Sequence, residues 1–353
     1  MDTQCVIAGV ALCLGLAGCR APAEGPEVLR IASWNVQALF DGEEAGGEYQ
    51  DYRGLWGEEQ YRSRLTNLSK ALLSMDEKPP DIIGLMEIEN RQALEDFARL
   101  LGRGYGWTFF SAAPQAPLGL GLISRFPLDR ALAHGVVYNG EAAPRPLLEA
   151  RVTAGGKPLT LFVCHWKSKR EGADLTEALR GASARVLLRR MRELRLEEPD
   201  AEAVILGDLN ESPDEFYRRG APAALMPDDP DAAARTGFTR GSSGVQADFL
   251  VLCRKAPPEA AYFPPQVEAL YSPWESGGSY RYKGAWEAID HFLLPAGFFD
   301  RKGWEFDSFK VMDQAPFVNA EGGPDAYNPR TGSGLSDHLP LLLRLRPHRA
   351  AEG

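Results

Sequence analysis

The sequence AVILGDLN at residues 203–210 joins an aliphatic run to a carboxylate and an amide. The aliphatic run predicts a buried strand that ends near Gly207. Asp208 and Asn210 are two positions apart, and residues with that spacing project the same way from an extended chain. The stretch therefore predicts a strand end that directs one carboxylate and one amide toward a common point.

Other predicted strands carry polar residues at their ends in the same way. The segment SDHLPLLL at 336–343 places Asp337 and His338 just before an aliphatic run. Further aliphatic segments end at or contain Asn35, Glu87, His165 and Asp290. A structural role, in a cap or a turn, would explain any one of these residues alone. Because the same placement recurs along the chain, we predict that the set has a catalytic role.

These residue types suit the cleavage of a phosphodiester by in-line attack of water on phosphorus. The charge that develops on the phosphate is usually neutralised by a hard divalent cation. Mg²⁺ binds oxygen ligands and accepts one or two carboxylates beside water and substrate phosphate. Asn35 and Glu87 fit such a sparse set of ligands, which predicts Mg²⁺, or Mn²⁺, as the cofactor.

Acid–base chemistry is predicted for the remaining polar residues. A neutral imidazole must take a proton from the attacking water, and a carboxylate behind it holds the required tautomer. His338 and Asp290 fit that pair. Asp208, Asn210 and His165 can bind the scissile phosphate, orient the water and protonate the leaving oxygen.

Strand-like and helix-like segments alternate through the rest of the chain. Residues 58–75, 91–101 and 175–194 are predicted to be helices, the first two from apolar residues at helical spacing. Several neighbouring strands are joined by hairpins, as at the turn AGGK, residues 154–157. These connections predict an α/β fold in which two mixed sheets pack face to face with helices outside.

Composition limits the classes of protein to consider. The 353 residues are 44% hydrophobic and 25% charged, which describes a globular body with one large core or two smaller ones. The formal net charge of −10 excludes a protein built for tight, non-specific binding to a polyanion. A local basic patch and a metal would still permit nucleic acid as a substrate. Residues 213–243 and 256–284 are predicted to be long irregular loops, which are usually functional.

The ordered motifs resemble those of the endonuclease/exonuclease/phosphatase superfamily, whose fold is deoxyribonuclease-I-like. The resemblance runs from Val28 to Arg346. In family order, its motifs are SWNVQ at 33–37, MEIEN at 86–90, His165, GDLN at 207–210, IDH at 289–291 and SDH at 336–338. The resemblance implies a four-layer α/β/β/α sandwich of two mixed β-sheets flanked by helices, with the site at one sheet edge.

The resemblance also implies a role for each motif residue. Metal binding falls to Asn35, Glu87 and Asp337. Catalysis falls to His338 paired with Asp290, to Asp208 and Asn210 at the phosphate and water, and to His165 as an acid-side imidazole.

Cations and aromatic residues beside the site residues favour nucleic acid as the substrate. Bases stack on aromatic rings while cations contact phosphates, and HWKSKR at 165–170 and SYRYKG at 279–284 interleave the two. The predicted substrate-binding residues are Arg180, Lys167, Lys169, Tyr282 and Lys283. Both segments resemble those of secreted and cell-surface bacterial nucleases of the superfamily.

Two other activities and one non-catalytic role remain as alternatives. A sphingomyelinase-like enzyme would reach lipid through an exposed apolar hairpin, for which residues 315–318 are the candidate. A phosphatase acting on sugar or inositol phosphates is a further alternative. A surface lipoprotein that kept the fold for adhesion would be favoured by the loss of a motif residue, and none is lost.

The amino-terminal segment predicts export and a lipid anchor. Residues 6–18 form an apolar run that is too short to span a bilayer but suits a signal peptide. The run ends in LAGC, which resembles a bacterial lipobox with Cys19 as the lipidated residue. We therefore expect a lipoprotein signal peptide at 1–18, a tether at 19–27, a catalytic domain at 28–347 and a tail at 348–353. The expected location is the bacterial cell envelope, facing the periplasm or the cell surface.

Overall fold

The computed structural model describes residues 25–43, 49–114, 116–238, 242, 247–264 and 266–348. The predicted signal peptide and the lipidation site at Cys19 lie outside the described residues. Among the described residues, no helix combines the length and the apolar character needed to cross a membrane.

Strands and helices alternate along most of the chain. The helices are α1 (Glu58–Leu73), α2 (Arg91–Leu101), α3 (Ala173–Glu197), α4 (Glu215–Arg219) and α5 (Pro230–Thr236). The first nine strands are β1 (Leu29–Leu39), β2 (Ile82–Ile88), β3 (Trp107–Ser111), β4 (Gly119–Ser124), β5 (Leu128–His134), β6 (Val137–Tyr138), β7 (Glu141–Ala142), β8 (Leu147–Ala154) and β9 (Lys157–His165). The others are β10 (Ala203–Asp208), β11 (Leu225–Pro227), β12 (Leu250–Cys253), β13 (Ala269–Tyr271), β14 (Tyr280–Tyr282), β15 (Ala285–Glu287), β16 (Asp290–Leu293), β17 (Trp304–Val311) and β18 (Leu341–Pro347).

Two large mixed sheets form the centre of the fold. The first sheet has the strand order β17-β18-β1-β2-β4-β3, and the second has the order β16-β10-β9-β8-β5. In each sheet a central strand pairs in parallel with one neighbour and antiparallel with the other: β1 lies between β2 and β18, and β10 lies between β9 and β16. A smaller parallel sheet, β11-β12-β13, flanks the second sheet.

The two large sheets pack face to face around an apolar layer. Ile31 and Leu122 of the first sheet and Val163 and Leu206 of the second lie in this layer. The sheets approach so closely at Gly84 that a Cβ atom there would lie 2.6 Å from Cδ1 of Leu206. Strands buried on both faces are expected to be continuously apolar, as the aliphatic runs of β2 and β10 are.

Helices cover the outer faces of both sheets. Trp34 of β1 packs in one cluster with Leu68 of α1 and Phe97 of α2. Leu187 of α3 packs in another cluster with Ile205 of β10. Because alternate residues of a strand face opposite sides, Ile205 contacts α3 while its neighbour in sequence faces the other sheet. The structure confirms the predicted four-layer α/β/β/α sandwich.

Short elements fill the segments that the sequence predicts to be irregular. Residues 213–243 contain α4, β11 and α5, and 256–284 contains β13 and the strand β14. The edge strand β5 was also not predicted, and all seven of its residues are partly or fully exposed. Elements of three to seven residues, or strands without an alternating burial pattern, carry too little periodicity to be recognised.

Candidate active site

The strand ends bring most of the predicted site residues to one pocket of about 560 Å³. Its lining includes Glu87, His165, Asp208, Asn210, Asp337 and His338. Asn35 and Asp290 stand directly behind the lining, where they bond to Glu87 and His338 respectively. The predicted metal and catalytic residues therefore converge.

Strand register aligns Asp208, His165 and Asp290 in the second sheet. Asp208 at the end of β10 lies opposite His165 of β9 on one side and Asp290 of β16 on the other. Oδ2 of Asp208 is 3.4 Å from Nε2 of His165. The backbone N–H of Asn210 donates to Oδ1 of Asp208 at 2.9 Å, in a left-handed turn where Asn210 has φ +53°. Asn and Asp tolerate that conformation better than most residues.

Gly207 permits this alignment because a side chain there has no room. Its φ is +129°, and a Cβ atom would lie 1.9 Å from the carbonyl oxygen of Cys164. Cys164 itself is buried, and burial raises the pKa of its thiol above the usual range. The glycine thus keeps β9 and β10 paired up to the residues that carry Asp208 and His165.

Asp290 and His338 form the predicted carboxylate–imidazole pair. Nδ1 of His338 is 2.8 Å from Oδ2 of Asp290, and the hydroxyl of Ser279 donates to the same oxygen at 2.6 Å. The ring of Tyr280 lies over the imidazole with 4.7 Å between centroids. The indole N–H of Trp34 donates to the His338 carbonyl at 2.9 Å. Because Asp290 holds Nδ1, Nε2 is the nitrogen available to a substrate or a water.

The charges around His338 differ from those of the neutral base that the sequence predicts. Burial alone would lower the pKa of His338, but the charges of Asp290 and Asp337 and the hydrogen bond to Asp290 outweigh burial and raise the pKa to about 10. Asp208 adds to this effect. A cation bound beside these carboxylates would oppose it, because a nearby positive charge disfavours the imidazolium form.

The first sheet holds Glu87 by means of an irregular backbone. Glu87 has φ +68°, and its Oε2 accepts the N–H of Ala38, which also has a positive φ of +52°. Burial would raise the pKa of Glu87, but His165 and Arg145 outweigh it and hold the pKa below the usual range. Glu87 is therefore a carboxylate that faces the pocket in its charged form.

Asn35 orients carboxylates in this arrangement. Its amide NH₂ donates to Oε1 of Glu87 at 3.2 Å and to Oδ2 of Asp208 at 3.1 Å. Its side-chain oxygen Oδ1 accepts the backbone N–H of Gln37 at 3.1 Å. Oδ1 therefore faces away from Glu87. The amide would have to rotate for Asn35 to act as the metal ligand that the sequence predicts.

The donor set fits a divalent cation. Ligand atoms of Asp208, Asp290 and His338 lie within 4.8 Å of one another, and Glu87 and Asp337 line the same pocket. Oδ1 of Asp290 is buried and has no hydrogen-bond partner among the described residues. Carboxylates gathered at this density repel one another unless a cation or protons offset their charge. Their oxygen donors are of the type that Mg²⁺ and Mn²⁺ prefer.

Arg180 does not contact the pocket, contrary to its predicted role in substrate binding. Its side chain is fully buried, where it forms ion pairs with Glu211 at 2.6 Å and Glu177 at 2.8 Å. It also donates to the carbonyls of Lys167 and Ala173. A residue buried in this way ties α3 to the turn after Asn210 and cannot reach a phosphate. The amphipathic pattern of a helix does not reveal which of its arginines points inward.

The other predicted substrate contacts divide between the pocket and its surroundings. Lys169 and Tyr282 line the pocket, although Lys169 is engaged by Glu215 at 2.9 Å and Glu287 at 3.3 Å. Lys167 lies outside the lining and pairs with Glu171 at 2.6 Å. Lys283 places its ammonium 5.1 Å from the Tyr282 ring centroid. Arg170 also lines the pocket, and it forms no salt bridge with any described residue.

Arg145 is a pocket residue that strand-end reasoning missed. It lines the pocket beside Glu87 and Asp208 and donates to the carbonyl of Trp166. Burial lowers the pKa of its guanidinium, and the neighbouring carboxylates only partly offset that effect. Arg145 precedes β8, which runs antiparallel to β9, so the start of β8 lies at the same edge as His165. The hairpin signal between the two strands could have indicated this position.

Comparison with known proteins agrees with the geometry. The endonuclease/exonuclease/phosphatase family matches residues 30–225. No curated protein is similar enough to this chain to count as a match.

Solved structures share the fold at low sequence identity. ANGEL2, a 2′,3′-cyclic phosphatase, is 14% identical with a TM-score of 0.54, covering 91% of this chain and 96% of that one. The human nocturnin catalytic domain is 17% identical with a TM-score of 0.52, covering 90% and 93%. Truncated TDP2 of Caenorhabditis elegans is 15% identical with a TM-score of 0.50, covering 90% and 97%. With its fold, its converging polar strand ends and more than half of its length matched, the chain belongs to the endonuclease/exonuclease/phosphatase family of phosphoesterases.

Proposed function

We propose that this chain is a divalent-metal-dependent nuclease that hydrolyses phosphodiester bonds in DNA, with RNA as a candidate second substrate. The observation that carries the proposal is the Asp290–His338 pair, whose free Nε2 faces a pocket lined by the carboxylates Glu87, Asp208 and Asp337. With a bound cation to offset the charge of these carboxylates, the neutral form of His338 would be the proton acceptor, and the same carboxylates supply the oxygen donors of a hard cation. The general dependence of this family on divalent metals supports the cofactor, for which we propose Mg²⁺, with Mn²⁺ as a substitute.

The chain's own residues account for the proton transfers. His338 takes a proton from the attacking water at Nε2, while Asp290 holds Nδ1 and stabilises the charged ring. His165 lies across the pocket beside Asp208 and donates a proton to the leaving oxygen. Burial and the nearby Arg145 lower the pKa of His165 and favour its neutral form. The negative charge of a substrate phosphate beside the ring would favour the protonated form that this step requires.

Substrate phosphate would be held between cationic and metal-binding groups. Arg145 and Arg170 line the pocket without a salt bridge to any described residue, so both are available to a phosphate. A bound divalent cation, held by Glu87 and Asp337, would neutralise charge on the phosphate as water attacks. Asn210, fixed by its amide donating to the Trp166 carbonyl at 3.0 Å, would orient the water or the phosphate.

The walls of the pocket support nucleic acid over the lipid alternative. Tyr282 is about half exposed and lines the pocket, where a base can stack on its ring. The apolar hairpin that the lipid alternative requires is not available at 315–318, because Phe317 is buried and packs edge-on against Trp34 at 5.6 Å.

A panel of substrates tests the proposed function. The purified protein with Mg²⁺ is offered DNA, RNA, sphingomyelin and inositol phosphates in parallel, and a His338→Ala variant from the same preparation controls for contaminating enzymes. We expect DNA to be cleaved, RNA to be cleaved more slowly or equally, and both activities to be lost in the variant. Hydrolysis of sphingomyelin or inositol phosphates without cleavage of DNA would reject the nuclease proposal in favour of an alternative.

We also propose that Cys19 carries lipid and anchors the enzyme to the bacterial cell envelope, facing the periplasm or the cell surface. The lipobox-like LAGC sequence supports this proposal. Stable anchoring requires more than one acyl chain, which bacterial lipoprotein processing supplies. Mass spectrometry of the native protein should find a lipidated Cys19 as the mature terminus, and a retained Met1 would reject the anchor.

A further inference from the structure

The hairpin of β14 and β15 presents different side chains on its two faces. Tyr280 pairs with Glu287 and Tyr282 with Ala285, while Arg281 pairs with Trp286. Because side chains alternate along a strand, the first two pairs share one face and the last pair lies on the other. Tyr280, Tyr282 and Glu287 line the catalytic pocket. Trp286 instead lines a second pocket, so the hairpin forms a partition between the two.

The second pocket combines aromatic rings with two arginines and with the carboxylates of Asp214 and Glu275. Its volume is about 170 Å³, and Arg218, Arg254, Trp274 and Trp286 contribute to its lining. Arg218 lines both pockets, which shows that they adjoin. Arg254 is exposed and forms no salt bridge within the described part of the chain. The volume lies below the range of about 300–1,000 Å³ that is usual for whole small-molecule ligands, so it suits a single ring system.

The base of the hairpin is fixed to the catalytic pair. The N–H of Ser279 donates to the Glu287 carbonyl at 3.0 Å, and the Ser279 hydroxyl donates to Asp290 at 2.6 Å. A Cβ atom on Gly278 would lie 2.6 Å from the same Glu287 carbonyl oxygen, so only glycine permits this contact. The partition, and with it the second pocket, therefore has a defined position relative to His338.

We propose that the second pocket binds the base of a nucleotide next to the one in the catalytic pocket. The base stacks on Trp286, and the connecting phosphate passes Arg218 and is contacted by Arg254. Arg218 is partly neutralised by Asp214 at 3.2 Å and Glu215 at 2.9 Å, so Arg254 is the main phosphate contact. This inference rests on the proposed nuclease function and extends it: the enzyme prefers a strand of several nucleotides over a single phosphodiester.

The charges on the hairpin favour a nucleic acid over a lipid surface as its ligand. The Arg281 guanidinium lies 6.0 Å from the Trp286 ring centroid, and the Lys283 ammonium lies 5.1 Å from that of Tyr282. Insertion of either ring into an acyl layer would carry its cation along, and burial of an unpaired charge is costly. The same cations assist stacking on bases and contact with phosphates.

Chain-length dependence tests the second pocket. Values of kcat/KM are measured with Mg²⁺ for methyl 4-nitrophenyl phosphate, a dinucleotide and a tetranucleotide, in the full-length protein and its variants. We expect kcat/KM to rise from dinucleotide to tetranucleotide. Trp286→Ala should lower the value for the tetranucleotide about 5- to 100-fold more than that for the small ester, and Trp286→Phe should restore most of the difference. Arg254→Gln should reduce the salt dependence of tetranucleotide cleavage by about one unit of slope.

Tyr262→Ala is the matched control, since Tyr262 is an aromatic residue with 45% exposure that lines neither pocket. It should change none of these values. Equal losses on all substrates in Trp286→Ala, or no loss on the tetranucleotide in either Trp286→Ala or Arg254→Gln, would overturn the second pocket. Binding of sphingomyelin–phosphatidylcholine vesicles that depends on Trp286, without an effect on the tetranucleotide, would also overturn it. If the wild type hydrolyses the small ester but no oligonucleotide, the proposed nuclease function itself is rejected.

Discussion

The two sheets deliver their active-site residues by different means. In the second sheet, Asp208, His165 and Asp290 lie opposite one another on adjacent strands, so ordinary strand pairing aligns them. In the first sheet, Glu87 lies in a register irregularity between β1 and β2 and has a left-handed backbone. A regular strand would have pointed the residue to one face of the sheet rather than to the edge.

A buried arginine supports the irregular side. Arg64 of α1 donates to the carbonyls of Val36, Gln37 and Ala38, and its guanidinium lies 3.8 Å from the ring centroid of Tyr327. Gln37 in turn accepts the N–H groups of Tyr327 and Asp337 at 2.8 and 2.9 Å. The left-handed backbone at Gln37 and Ala38, near the end of β1, is thus held by side chains from distant segments. In the second sheet, the strand pairing that Gly207 permits aligns the residues.

This difference explains how much the sequence can predict. The aliphatic runs and their polar ends predicted β2, β9 and β10, and with them Glu87, His165 and Asp208. The support for the first sheet depends on Arg64 and Gln37, which are distant in sequence from the residues they hold and carry no periodic signal. Arg180 was predicted to bind phosphate from its place on the helix α3. In the structure it is buried and pairs with Glu211, which the helical pattern does not reveal.

Removal of the catalytic pair is expected to have the largest effect. His338→Ala or Asp290→Ala should lower kcat about 10²- to 10⁴-fold, because general acid–base catalysis contributes on that scale. The double variant should be barely slower than either single variant, because the two residues act as a unit. Steady-state kinetics on DNA gives the comparison. Additive losses would show that the residues act independently. His291→Ala is the control, since His291 is buried, bonds to the Glu211 carbonyl and lines neither pocket.

Disruption of the buried ion pair behind the second sheet should chiefly affect stability. Arg180→Met leaves Glu211 buried without its cation and should lower the free energy of unfolding by about 3–5 kcal/mol. Urea denaturation measures the change. Because strand register still aligns Asp208 with His165, the Mg²⁺ concentration for half-maximal activity should stay the same in the folded fraction. A marked rise in that concentration would show that strand register is not sufficient to align Asp208 with His165.

Loss of the arginine behind the first sheet should affect both stability and metal response. Arg64→Met leaves carbonyls of the left-handed turn unsatisfied and should cost about 1–3 kcal/mol in the free energy of unfolding. Because Ala38 in that turn donates to Glu87, the Mg²⁺ concentration for half-maximal activity should also rise. Measured beside Arg180→Met, an unchanged Mg²⁺ response in Arg64→Met would remove the proposed distinction between the two sheets.

The smallest effects are expected from the cations after His165. Arg170→Ala should flatten the salt dependence of KM for DNA by about one unit of slope, because each phosphate contact contributes about that much. Lys167→Ala should change it little, because Lys167 is outside the pocket and pairs with Glu171. A larger effect of Lys167→Ala than of Arg170→Ala on this salt dependence would indicate that the substrate phosphates contact Lys167 rather than Arg170.

The response of phosphodiester hydrolysis to metal removal tests the central claim most directly. The rate of DNA cleavage is measured before chelation, in excess chelator, and after Mg²⁺ is restored, with circular dichroism to confirm that the fold persists throughout. Carboxylates gathered around the Asp290–His338 pair predict that activity falls to background in chelator and returns with Mg²⁺ or Mn²⁺. Full activity in excess chelator would contradict the account.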